Sequence, residues 1–89
     1  MEHRATTGFW QEYESLTLEI RRRADKQFLL LKADPQHPSL QLKKIGDRRG
    51  QEVWSARVTL GYRALAFKRN YGYLWFWIGD HEMYETLIA

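Results

Sequence analysis

The sequence has no cysteine and only two prolines in 89 residues. The first absence excludes a disulfide framework, a cysteine-ligated zinc site and a thiol nucleophile. The prolines both fall in the stretch Asp34 to Pro38, where they predict a break between structural elements. No apolar run approaches the ~20 residues that span a bilayer, so no membrane association is expected. The opening "MEHRATTG" lacks the basic-then-apolar order of a secretion leader. Together with the missing cysteines, this points to the cytoplasm. The three histidines are too scattered to suggest a metal site, and no cofactor is expected.

Aromatics and charge, by contrast, are abundant. Phe, Trp and Tyr make up 15% of the chain, and each buries a large area. That supplies a core for one domain spanning residues 1–89. The net charge of +3 hides a stronger pattern. Residues 21 to 69 hold thirteen Lys or Arg against four Asp or Glu, while the first and last twenty each carry −3. A concentrated basic middle suits a phosphate-rich or acidic partner.

Periodicity divides the chain in two. Phe9, Tyr13 and Leu16 fall on one helical face, with Trp10 beside them and Thr7 placed to cap the segment. Ile20, Ala24, Gln27 or Phe28, and Leu31 repeat the spacing, with Thr17 as cap and Glu19 in the first turn. From Leu40 the period becomes that of strands. "LQLKKI", "EVWSARVT", "YRALAFKR" and "YLWFWI" are separated by the loop "GDRRGQ" and by tight turns. "YLWFWI" is apolar on both faces and predicts a doubly covered strand. A strand around His3 to Thr6 is a further candidate, although His3 lies near a terminus expected to be mobile. "HEMYETLI" predicts a closing helical turn. The expected fold is α+β: an N-terminal helical hairpin on one face of a small, twisted antiparallel sheet. Small Ala64 and Ala66 suit close approach by the helices, which leaves Arg63 and Arg57 on the other face.

The order "HPSL", "WSARV", "GYRAL" and "WIGDHEMYE" resembles the RelE/ParE toxin superfamily, in particular its RelE- and HigB-like branch. The resemblance covers residues 9 to 88. It implies the fold just described and a metal-independent ribonuclease that cuts messenger RNA in the ribosome. It also implies an antitoxin protein partner, with toxin and antitoxin able to form higher-order assemblies. The reaction needs a base for the ribose 2′-proton, an acid for the leaving 5′-oxygen and cations for the developing charge. Arg63 matches the family's phosphate-contacting arginine, and Arg57 aligns with a basic residue on the neighbouring strand. His81 and Tyr84 match the region where members place proton-transfer groups. Asp80, Glu82 and Glu52 are weaker candidates for base or orienting group.

Outside that set, Lys43, Lys44, Arg48 and Arg49 form a basic edge suited to ribosomal RNA, with affinity falling as salt rises. Arg21, Arg22 and Arg23 read as a solvated helix surface, and His37 as a turn residue. Two other readings share the fold. A ParE-like toxin would bind DNA gyrase and cleave nothing. A catalytically weak member would act only as a binding module or co-repressor. Ser55, standing where RelE commonly has lysine, favours the last.

Overall fold

The computed structural model describes residues 1–88. In chain order it contains β1 (Glu2–Ala5), α1 (Thr7–Glu14), α2 (Leu18–Ala33), β2 (Lys43–Arg48), β3 (Gln51–Thr59), β4 (Tyr62–Arg69), β5 (Gly72–Asp80) and α3 (His81–Ile88). A 3₁₀ turn at Pro38–Leu40 links α2 to β2. The five strands form one sheet in the order β1-β5-β4-β3-β2. Strands β2 to β5 are antiparallel neighbours.

The sheet is mixed, not purely antiparallel. β1 runs parallel to β5, with Glu2 beside Gly72 and Ala5 beside Trp75. A parallel pair needs a long crossover, and the whole stretch between residues 5 and 72 provides it. His3 is accordingly held in place, contrary to the mobile terminus expected of it. Its ring stacks on Tyr73 and Trp75 and meets Phe28 edge-on. The Trp75 indole N–H donates to His3 Nδ1 at 3.0 Å. Partial burial, with help from the N-terminal charge and Lys32, lowers the His3 pKa below its ordinary 6.5.

A depressed histidine pKa means that the unfolded chain takes up the proton first. Its contribution to stability is therefore complete above pH ~6.5 and is lost as pH falls from there towards the folded value. The thermal midpoint is expected to drop across that window in the native chain. Replacing His3 with Phe should flatten the drop.

The helices form close to where the spacing predicts, although α1 ends at Glu14, before Leu16, and one cap is displaced. Thr6, not Thr7, caps α1 by accepting the Phe9 N–H at 3.0 Å. Thr17 caps α2 through the Ile20 N–H at 3.3 Å. The hairpin lies on a single face of the sheet. Leu16, Leu31 and Leu40 pack there against Ala56, Val58, Ala64, Ala66, Tyr73, Trp75 and Ile78. Ala66 is fully buried, as close helix approach requires. Gln27 of α2 reaches across and donates to the Arg57 carbonyl at 3.0 Å.

The "GDRRGQ" segment is mostly strand. β2 runs through Gly46, Asp47 and Arg48, and only Arg49 and Gly50 turn. Both have positive φ, 52° and 81°, as a type I′ hairpin requires.

Candidate active site

The face of the sheet away from the hairpin carries the side chains of interest. Opposite residues in an antiparallel pair share a face, and neighbours along a strand alternate. Ala56 and Ala64 are partners and point to the helices. Arg57 and Arg63, the next pair, therefore stand directly opposite one another on the other face. Like charges so placed are destabilising, by roughly 0.2–1 kcal/mol. Arg63 Nη1 donates to the Thr59 carbonyl at 3.1 Å and to the Tyr62 carbonyl at 3.4 Å. The turn thus pins one guanidinium nitrogen. Arg57 Nε is buried and has no hydrogen-bond partner.

α3 folds back towards this pair. Asp80 Oδ1 accepts the Met83 N–H at 2.8 Å, so Asp80 caps the helix. The His81 N–H donates to the Gly61 carbonyl at 2.7 Å, tying the start of α3 to the β3–β4 turn. Two side chains are placed as a result. His81 is about half exposed, and its Nε2 lies 3.2 Å from Glu85 Oε1, one helical turn on. Tyr84 is buried, with its ring centroid 5.9 Å from the His81 ring and 6.0 Å from Arg63 Cζ. Arg57, Arg63, His81 and Tyr84 are thus gathered at one end of one face. Of the four, His81 is about half exposed and the two arginines are partly buried, whereas Tyr84 packs its ring beside Arg63.

The remaining candidates separate by strand register. Lys43 is opposite Ser55 and Arg48 opposite Gln51, both on the Arg57 face. Lys44 is opposite Trp54 on the helix side and pairs with Asp47 at 3.3 Å. Arg49 occupies the hairpin tip. Glu52 also falls on the helix side, where it accepts from the Trp54 indole at 2.9 Å. It is therefore remote from the arginine pair. His37 is a turn residue, its Nδ1 accepting the Ser39 N–H at 3.1 Å. Glu85 escaped the sequence reading, although its i,i+4 spacing from His81 carried the signal. Among the described residues, no group of three or more His, Cys, Asp or Glu could hold a metal ion.

No family model matches the sequence, and no curated protein sequence matches it. Solved structures are similar in fold at low identity. The RelB–RelE antitoxin–toxin complex of Methanococcus jannaschii aligns with TM-score 0.71 and 11% identity over 97% of this chain and 99% of that one. The archaeal RelE–RelB complex of Pyrococcus horikoshii OT3 gives 0.68 and 13% over 89% and 92%. The YoeB/ParE toxin of Agrobacterium tumefaciens gives 0.67 and 16% over 91% and 99%. This chain has the fold of the RelE/ParE-like toxins.

Proposed function

We propose that this chain is the toxin of a type II toxin–antitoxin pair and cuts messenger RNA on the translating ribosome. The observation that supports this most directly is the opposition of Arg57 and Arg63 on one face, with His81 delivered beside them by α3. Two guanidiniums facing each other disfavour the free protein. An RNA phosphate between them turns that repulsion into two charge-assisted contacts. Arg63, held at one nitrogen by the turn, keeps its remaining N–H groups for phosphate oxygens.

In the proposed reaction the ribose 2′-oxygen bonds to the adjacent phosphorus and the bond from phosphorus to the 5′-oxygen breaks. The 2′-proton leaves to a base, and a proton reaches the 5′-oxygen. The products are a 2′,3′-cyclic phosphate and a 5′-hydroxyl. His81, with Glu85 fixing one ring nitrogen, handles one of these protons. Tyr84 supports the Arg63 guanidinium with its ring. Two of the similar structures are complexes with RelB, and this chain's basic middle suits an antitoxin segment that carries acidic residues.

A translation reaction with end-labelled messenger tests the reading. The native chain should produce discrete, ribosome-dependent cuts ending in cyclic phosphate. His81→Ala should slow them by about 10²–10⁴-fold, the usual contribution of a positioned acid or base. Intact messenger with inhibited gyrase supercoiling would replace this reading with the ParE-like one. Inactivity in both assays with antitoxin binding retained would leave a binding module.

A further inference from the structure

The tryptophans of this chain are not equivalent. Among the described residues, Trp10, Trp54 and Trp75 each pair with another aromatic ring. Trp77 makes no aromatic pair and no cation–π contact there, and it is partly exposed. It lies opposite Leu65, on the face that carries Arg57 and Arg63.

The place of its ring is set by Gly79. A β-carbon at position 79 would come within 2.5 Å of Trp77 Cζ2 and 3.0 Å of Cη2. The indole therefore occupies the space that a side chain at 79 would fill. Gly79 is the register partner of Arg63, which is the partner of Arg57. Positions 57, 63 and 79 thus form one row across three strands, spaced by ~4.8 Å. Read along that row, the surface offers guanidinium, guanidinium, indole.

We infer that Trp77 is the stacking platform for an unpaired nucleobase next to the phosphate held by Arg57 and Arg63. The inference rests on the nuclease reading and adds the form of its substrate: a single strand with one base free to leave its neighbours. A duplex keeps both faces of each base covered, so an indole has nothing to stack on. Stacking on a ring accepts any base, since each has a π face. The platform therefore selects for single-strandedness and not for sequence.

The test compares a short single-stranded RNA with an abasic ribose-phosphate strand of equal length, by fluorescence anisotropy at fixed salt. The native chain should bind the intact strand about ten- to a hundredfold more tightly, the range seen for stacked bases. Trp77→Leu should bind the two strands alike, and Trp77→Phe should restore most of the difference. Arg63→Ala should weaken both strands and leave their ratio unchanged. Equal binding of both strands by a native chain that still cuts messenger overturns the stacking role alone. A native chain that binds neither strand and cuts nothing removes the nuclease reading and this inference with it.

Discussion

Replacing Arg63 with Ala should lower messenger cleavage by about 10²–10³-fold, the loss seen when one preorganised donor to a developing anion is removed. The same change should leave stability within about 1 kcal/mol, because two effects oppose each other. The guanidinium's hydrogen bonds to the Thr59 and Tyr62 carbonyls are worth on the order of 1 kcal/mol each. Removing one of two directly opposed cations returns up to about 1 kcal/mol. Parallel measurement of cleavage rate and urea midpoint checks both halves. Arg63→Lys should recover only part of the rate, since a point charge cannot bridge two phosphate oxygens as a planar fork does. A fall in stability of several kcal/mol with either variant would make Arg63 a structural residue and leave its loss of activity uninformative.

The second large effect concerns Gly72 and stability. Its φ of +144° is a conformation that L side chains rarely adopt. A β-carbon there would collide with the Glu2 carbonyl oxygen and lie 2.7 Å from the Glu2 nitrogen. Both obstacles are backbone atoms of β1, so no side-chain rotation relieves them. Gly72→Ala should therefore cost about 3 kcal/mol or more, combining backbone strain with the loss of a neighbouring strand. It should also detach β1. Hydrogen exchange at residues 2–5 should become fast, and the Trp75 indole should lose its partner at His3. Gly46→Ala is the matched control: nothing lies within 4 Å of a β-carbon there, and its cost should stay near the ordinary propensity difference.

Much of this architecture was legible in the residues themselves. Phe9, Tyr13 and Leu16 announced a helix because a 3.6-residue period needs only local information. Small Ala64 and Ala66 marked the helix-facing side of β4, and the alternation then assigned Arg63 to the other side. What resisted reading was non-local or irregular. The direction of β1 depends on a partner seventy residues away. The register shifts beside Ile45, Val58 and Phe76 break the period of two, and in "YLWFWI", apolar on both faces as expected, no alternation was present to reveal the one at Phe76. Phe76 in fact stacks on Phe67, with centroids 4.3 Å apart, on the side away from the helices. The inward turn of Tyr84 follows from the angle at which α3 leaves Asp80, which spacing does not encode. Trp77 did leave a trace, since a glycine two residues after it in a strand signals a close approach.

The parallel pairing of the first and last strands also orders events in time. Residue 2 cannot find its neighbour until residue 72 has been synthesised, so most of the chain exists before the sheet gains its outermost member. Closing so long a loop adds entropy that local contacts do not offset, and contacts this distant in sequence form slowly. The tethering of His81 to Gly61 lies still further along the polypeptide. A nascent molecule therefore acquires its folded border and the corner that holds Arg63 and His81 late, and only after residue 81 has been made.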